Sequence, residues 1–317
     1  MKALIAGIAG FAGNHLAEHL LELGYDVSGI ALPKESLDNL SRISGRVILH
    51  RGDLLDKEEI RSIVSETRPD RVFHLAALSS VPASWEDPAR TFETNINTGI
   101  HLLEACMAAK NEMRVLLVSS ADIYGGGDLS GQITEESPYA PNNPYAVSKL
   151  ALDLASAKIA EANGLHLVRV RPMNHTGPHQ ATGFVIPDLS KQIAEIEIKK
   201  KDPILRTGNL EPRRDFSDVR DIVRAYAVAA ERGHPGEAYL VCSGQTNSIR
   251  EALEVLLSYA KISIMVEADL RKNRPSESNV GSASHSKFTQ TTGWHPEIPF
   301  EQTLRETLDY WREKIGR

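Results

Sequence analysis

The stretch Ala3-Leu4-Ile5-Ala6-Gly7-Ile8-Ala9-Gly10-Phe11-Ala12-Gly13, at the start of a 317-residue chain, decides how the rest is read. Ala3 to Ala6 is a short apolar run with strand character, the glycines at 7, 10 and 13 form a turn, and His15 to Leu23 follows with helical periodicity until Gly24. Strand, glycine turn and helix in that order have a physical meaning. Glycines permit a tight turn and let the backbone come close to a pyrophosphate, and a helix N-terminus offers unpartnered N–H groups at the positive end of a dipole. The bland alternative is a plain turn, and the flanking strand and helix argue against it.

Working outward, apolar runs at Asp26–Ala31, Val47–His50, Arg71–Ala77, Val115–Val118 and Leu167–Arg171 read as further strands, separated by helical segments. The longest of these segments is Pro88 to Ala109, expected as one helix. The alternation predicts an α/β fold with a doubly wound parallel sheet. It stops near Asn174, where a smaller α/β C-terminal substrate lobe is expected to begin. Val219–Arg232 reads as a helix and Ala238–Val241 as a strand that return to the first domain. The expected division is 1–173 with 215–241, against 174–214 with 242–317.

Composition bounds the function. With 41% hydrophobic and 25% charged residues the chain is globular, neither disordered nor membranous. A net charge of −6 and a pI near 6.0 give no global attraction to nucleic acid or to a membrane surface. Lys199-Lys200-Lys201 reads as a solvated helix end. Cys106 and Cys242 both lie in apolar surroundings, which fits two buried thiols in a reducing compartment and no metal site. The apolar start superficially resembles a signal peptide, but His15, Glu18 and His19 interrupt it. It reads as a strand of a cytoplasmic protein.

A second stretch carries chemistry: Ser119-Ser-Ala-Asp-Ile-Tyr-Gly125 and then Pro144-Tyr-Ala-Val-Ser-Lys149. Asn143 and Pro144 suit an N-cap and first turn, and no breaker follows until Gly164, so Tyr145 and Lys149 share one helical face. A neighbouring ammonium favours phenolate, which predicts a Tyr145 pKa pulled below its ordinary value of about 10. Tyr145 is thus a candidate acid/base. Ser119 and Ser120 fall at the carboxyl end of a buried strand, where open α/β sheets bind ligands. If the chain stays extended there, period-two alternation puts Ser120 and Asp122 on one side. Tyr-x-x-x-Lys by itself is a weak signal, because solvated helix faces often carry it.

The glycine triplet, Ser120 standing 25 residues before Tyr145, and Tyr145-x-x-x-Lys149 together resemble the extended short-chain dehydrogenase/reductase family. The resemblance spans the chain and implies a Rossmann-type sheet, a nicotinamide cofactor, and Ser120, Tyr145 and Lys149 as catalytic residues. It implies cofactor contacts from Gly7, Gly10, Phe11, Ala12 and Gly13, and from Asp53 and Leu54 beside the adenine. Further contacts are implied for Leu75, Ala76 and Ala77, for Asn95, and for Ser119, Tyr145, Lys149 and Pro172. Asp53 has an alternative role as the cap of the next helix, Asn95 as an exposed polar residue, and His74 reads as a packed strand residue. An NAD enzyme would carry an acid at the end of the second strand to hold the ribose hydroxyls. Ala31 stands there, followed by Leu32-Pro33-Lys34, so NADP(H) is favoured over NAD(H), with Lys34 toward the 2′-phosphate. The family also pairs the 88–109 helix and the Tyr145 helix with their copies, implying a four-helix-bundle homodimer or a tetramer built from it.

Arg171-Pro172-Met173-Asn174-His175-Thr176-Gly177-Pro178 resembles a loop of the nucleotide-sugar enzymes, in which the asparagine touches the substrate; its prolines and glycine restrict it. Phe184, Val185 and Lys191 resemble residues around the nucleotide base, the alternative being apolar surface beside a solvated lysine. Asn209 and Arg214, with Arg274 and Glu277 further on, read as diphosphate and ribose contacts, because arginines clamp diphosphates through paired hydrogen bonds. With Cys242-Ser243-Gly244, the pattern is similar to GDP-sugar enzymes and implies NAD(P)H-dependent reduction of GDP-4-keto-6-deoxy-D-mannose to GDP-D-rhamnose. GDP-mannose 4,6-dehydration, 4-epimerisation and a non-enzymatic dinucleotide sensor are the alternatives. Dehydration needs an extra acid/base group where relatives carry glutamate. Asp122, one methylene shorter, stands there as a candidate catalytic residue, so reduction is preferred.

Overall fold

The computed structural model describes residues 1–109, 112–125, 132–269 and 281–316. The first half alternates as the sequence predicts: β1 (Lys2–Ala6), α1 (Phe11–Glu22), β2 (Asp26–Ala31), β3 (Val47–Arg51), α2 (Lys57–Thr67) and β4 (Arg71–His74). Then come α3 (Val81–Glu86), α4 (Pro88–Phe92), α5 (Thr98–Ala108), β5 (Arg114–Val118), α6 (Pro144–Asn163) and β6 (His166–Pro172). The second half holds β7 (Asn174–Thr176), α7 (Val185–Glu197), β8 (Ile204–Thr207), β9 (Arg213–Arg214), β10 (Phe216–Asp218), α8 (Val219–Arg232) and β11 (Ala238–Val241). It closes with β12 (Asn247–Ser248), α9 (Ile249–Ser258), β13 (Met265–Ala268), α10 (Ser286–Thr292) and α11 (Phe300–Gly316).

Seven parallel strands form one sheet in the order β11-β6-β5-β4-β1-β2-β3. The order reverses between β1 and β4, and that switch point opens the crevice that binds ligands in such sheets. Strand alternation sorts the core into two layers. Ile5, Phe73 and Leu116 face Leu16, Leu20 and Tyr226 of α1 and α8, while Leu4, Val72 and Leu117 face Ile60, Leu102 and Leu152 of α2, α5 and α6. A third cluster, including Ile193, Leu205, Leu253 and Leu304, is the core of the C-terminal lobe, whose strands, among the described residues, pair two by two. No helix among the described residues is long and apolar enough to cross a membrane.

Two local departures from the sequence reading have physical causes. Helix α1 starts at Phe11, not His15, because Gly10 in extended conformation serves as its N-cap without any side-chain bond. The 88–109 segment is not uniformly α-helical: Glu93–Asn97 widens into a π turn between α4 and α5. Such single-turn bulges reposition one residue relative to its neighbours. Here that residue is Asn95.

Candidate functional site

The cofactor side of the cleft is made mostly of backbone. Gly7 adopts φ +89°, and a Cβ there would lie 2.9 Å from the Ala76 nitrogen; a Cβ on Gly13 would lie 2.1 Å from the Gly7 carbonyl oxygen. Side chains at either position would therefore disrupt the cradle, and the amides of Phe11, Ala12 and Gly13 have no carbonyl one helical turn behind them to bond. No acid occupies the first turn of α1. The residues present fit a dinucleotide pyrophosphate. Leu75 is tied to β1 through its N–H to Ala6 O (3.0 Å), which brings Leu75, Ala76 and Ala77 beside the cradle.

At the rim, Ala31 is buried and Lys34 exposed. Arg51, which the sequence reading missed, ends β3 in register with Ala31 and donates to Leu32 O (2.8 Å) and Glu35 O (2.9 Å). Its signal was its place as the last strand residue before Gly52-Asp53. The same loop holds an acid, Glu35, but its carboxylate folds back to accept from Leu32 N (3.1 Å). Asp53 does not cap α2: Asp56 does, accepting from Glu58 N and Glu59 N, while Asp53 accepts from Leu55 N (2.9 Å) in its own turn. Leu54 is buried beside it.

Helix α6 begins as expected. Asn143 Oδ1 accepts from Ala146 N (2.9 Å), and Gly164 closes the helix in the left-handed region with φ +67°. Such a cap contributes about 1 kcal/mol and fixes where Tyr145 emerges. The segment after β5 is not extended, contrary to the alternation argument. Ser120 Oγ accepts from Asp122 N (3.1 Å) and winds Ala121–Tyr124 into a 3-10 turn. Asp122 nonetheless comes back to the cleft, where its charge acts on Tyr145, and the Ser120 hydroxyl is near enough to favour the ionised form of the same phenol.

The expected drop in the Tyr145 pKa is overturned. Burial first, and then the Asp122 carboxylate, push the phenol well above the ordinary tyrosine range, with the Ser120 hydrogen bond opposing. Lys149 donates instead to Val118 O at 2.6 Å, at the end of β5. Burial pulls its ammonium down to about 8, with Asp153 working in the opposite direction. Burial also raises the Asp122 carboxyl, and the Arg214 cation opposes it. The result is a phenol that remains protonated throughout the neutral range.

Asn95 is fully buried, not an exposed polar residue. Its carboxamide accepts from Leu78 N (2.7 Å) and donates to Leu78 O (3.2 Å) and Ser148 Oγ (2.9 Å). It thus ties the loop after β4 to the residue preceding Lys149. Ser119 is buried with its hydroxyl toward Asp153, and Pro172 is buried at the end of β6. His74 is packed beside Lys149 and held neutral, its pKa lowered to about 3 by burial and by that cation.

In the C-terminal lobe the two adjacent arginines diverge. Arg213 is tied to Thr246 O (2.7 Å) and Glu251 (3.3 Å), whereas the Arg214 charge reaches Asp122 in the cleft. Asp215, also missed, accepts from Ser243 N, Ser243 Oγ and Gly244 N at 2.7–2.9 Å, pinning Cys242-Ser243-Gly244 beside Arg214; burial raises it to about 6. Asn174 is exposed, and exposed Asn209 uses its carbonyl oxygen on Glu211 N (3.0 Å). Phe184 caps and Val185 opens α7, with Phe184 39% exposed. Lys191, paired with Glu195 (3.2 Å), lines a hollow of about 390 Å³ with Asp188, Gln192 and Arg206. Arg274 and Glu277 lie outside the described residues.

The sequence model of GDP-mannose 4,6 dehydratase matches residues 4–307. The chain belongs to the GDP-mannose 4,6-dehydratase family. Within and around that family, it is 34% identical to GDP-6-deoxy-D-mannose reductase of Pseudomonas aeruginosa, over 99% of this chain and 98% of that protein. It is 29% identical to GDP-mannose 4,6-dehydratase of Sinorhizobium fredii, over 98% and 97%. The solved structure of RMD from Pseudomonas aeruginosa complexed with NADPH superposes with a TM-score of 0.86 at 33% identity, covering 99% of both chains. As a family member the chain is a short-chain dehydrogenase/reductase-type enzyme of nucleotide-sugar chemistry.

Proposed function

We propose that this protein reduces the 4-keto group of GDP-4-keto-6-deoxy-D-mannose to give GDP-D-rhamnose, using NADP(H) in preference to NAD(H). The observation that carries the reading is the arrangement of Ser120 at the end of β5 with Tyr145 and Lys149 one turn apart on α6, where burial and Asp122 push the Tyr145 phenol toward its protonated form. Reduction of a ketone needs a proton donor at the nascent alkoxide, and a raised pKa keeps Tyr145 in the donor form. When bound, the reduced nicotinamide supplies the hydride for sugar carbon 4. Ser120 and Tyr145 hold the ketone oxygen, Tyr145 gives its proton as negative charge develops there, and Lys149 supplies the cation for the phenolate left behind. Gly7, Gly10, Phe11, Ala12 and Gly13 hold the pyrophosphate, and Leu75, Ala76, Ala77, Ser119 and Pro172 line the rest of the cofactor's path. Asp53 and Leu54 serve the adenine, and Arg51 and Lys34 the 2′-phosphate. Asn95 acts by positioning the Lys149 turn.

For the substrate, Arg214 with Arg274 and Glu277 hold the diphosphate and ribose, and Asn174 and Asn209 border the sugar nucleotide. Phe184, Val185 and Lys191 serve the base, supported by the mixed donors and acceptors of the hollow at Lys191. The units doing this are 1–173 with 215–241 for the cofactor and 174–214 with 242–317 for the substrate; α8 and β11 pack in the central sheet's layers, in keeping with that division. We further infer a homodimer through α5 and α6, supported by Val147, Leu154 and Trp85, apolar and 39%, 45% and 57% exposed on α6 and the neighbouring α3. The two free, buried thiols fit a cytoplasmic setting.

Dehydration of GDP-mannose is the second reading, favoured by one observation: Asp122 is a carboxyl with a raised pKa beside Tyr145, the kind of group that could protonate a departing hydroxyl. One assay separates them. With GDP-4-keto-6-deoxymannose, a reductase consumes one NADPH per sugar and its absorbance falls. Conversion of GDP-mannose to the keto sugar without net cofactor oxidation would overturn the reductase reading. Ranking the thermal shifts given by GDP, UDP and dTDP tests the base.

A further inference from the structure

Tyr145, Lys149 and Asp153 stand at successive turns on one face of α6. Asp153 is fully buried, and its carboxylate accepts from Arg169 Nη1 (2.6 Å), Arg171 Nη2 (2.9 Å) and Arg171 Nε (3.0 Å). Arg171 continues the chain of contacts, donating through Nη1 to Tyr124 Oη (2.6 Å) and through Nη2 to Tyr139 Oη (3.0 Å), with both rings against its guanidinium. Tyr124 is the last residue of the 3-10 turn opened by Ser120, and it donates on to Glu135 O (3.3 Å). A buried carboxylate with three charge-assisted bonds is a rigid anchor, and a path of contacts therefore runs from α6 beneath Lys149 to the turn bearing Ser120 and Asp122.

The charge balance adds a second argument. Asp153 pairs with Arg169 and Arg171 and also favours the charged form of the buried Lys149 ammonium. Around Lys149, β4 offers neutral His74, β5 the Val118 carbonyl, and α6 itself Tyr145 and Asp153, the latter held by the two arginines of β6. Glu237 approaches Arg169 from the outer side. Without the Asp153 carboxylate the buried Lys149 ammonium would lose the charge that opposes its desolvation, and a buried lysine then yields its proton, as the arginines do not.

We propose that Asp153 is a positioning residue of the active site: it keeps the Lys149 ammonium charged and, through Arg171 and Tyr124, fixes the turn that presents Ser120 and Asp122. The inference rests on the reductase reading only for its kinetic arm.

The test has two readouts. The first needs no substrate: the titration of the Lys149 13Cε resonance in lysine-labelled protein, assigned by its loss in Lys149→Arg. The wild-type midpoint is expected at about 8, with the charged form present below that pH and lost above it. Asp153→Asn should move the midpoint down by about one unit or more. The second readout is turnover. Asp153→Asn should lower kcat at least about tenfold, with the KM for the sugar nucleotide within about twofold, and shift the basic limb of the kcat profile down with the Lys149 midpoint. Tyr124→Phe, which keeps every charge, should lower kcat with no change in the midpoint. If Asp153→Asn does not fold, Asp153→Ser, equally uncharged and smaller, serves as the second variant: the Lys149 midpoint must again fall. A midpoint unmoved in the folded variants overturns the electrostatic role, and an unchanged kcat in Tyr124→Phe overturns the positioning role. Wild-type protein inert toward the keto sugar, yet showing the shifted midpoint in Asp153→Asn, would sink the reductase reading and leave this inference standing.

Discussion

The two sides of the cleft are built from different materials. On the cofactor side, the decisive features are backbone ones: Gly7 at φ +89°, Gly13 within van der Waals reach of the Gly7 carbonyl, and the open amides of the α1 N-terminus. On the substrate side they are ionisable side chains from separate elements, Asp122 on the turn after β5, Tyr145 and Lys149 on α6 and Arg214 on β9. A backbone site has little tolerance for added atoms but does not depend on pH. A charge-built site tolerates small changes of shape, and its behaviour follows burial and neighbouring charges, which is why burial and Asp122 outweigh anything Lys149 does for the Tyr145 phenol.

The sharpest test of the charge-built side is Tyr145→Phe, which removes the proton donor and leaves its volume. Turnover should fall by roughly two to four orders of magnitude while the affinity for GDP, measured by titration calorimetry, stays unchanged. On the opposite side, Gly13→Ala adds one carbon 2.1 Å from the Gly7 oxygen. NADPH affinity, followed by fluorescence titration, should weaken by about a hundredfold, or about 2.7 kcal/mol, with GDP binding retained. An alanine variant that binds NADPH normally would erase the distinction between the two sides.

A smaller effect is expected from Arg214→Ala. Loss of one charge-assisted arm should weaken GDP binding by about 2 kcal/mol, roughly thirtyfold, without touching NADPH binding. Unchanged GDP affinity would make Arg214 a structural residue like Arg213. Smallest is Ala31→Asp, which introduces a carboxylate at the rim of the backbone-built side. It should shift the NADPH-to-NADH preference in kcat/KM toward NADH by about tenfold. A wild type that already prefers NADH would refute the role given to Arg51 and Lys34.

What the sequence by itself determined is whatever depends on neighbours along the chain. The glycine spacing, the alternation of strands and helices, the Asn143 cap and the Gly164 stop are local, and each appears in the order its residues predict, the start of α1 and the π turn at Glu93–Asn97 excepted. The presence of Ser120, Tyr145 and Lys149 in one cleft was legible for the same reason: strand ends and helical faces have fixed periods. Tertiary structure decided the electrostatics. Whether Lys149 or Asp122 governs the Tyr145 phenol depends on burial and on distances through space, and the 3-10 turn that brings Asp122 back follows from a hydroxyl bond that period-two reasoning ignores. Asp153 had a sequence signal, its i+8 spacing from Tyr145, but its partners Arg169 and Arg171 come from a neighbouring strand, and Tyr124, which Arg171 bonds, from a distant turn. Likewise Asn95 became a buried tie only because a π turn rotates it toward Leu78 and Ser148. Charges and carboxamides owe their energies to what surrounds them in three dimensions, and that information lies in the packing of the sheet and its helices.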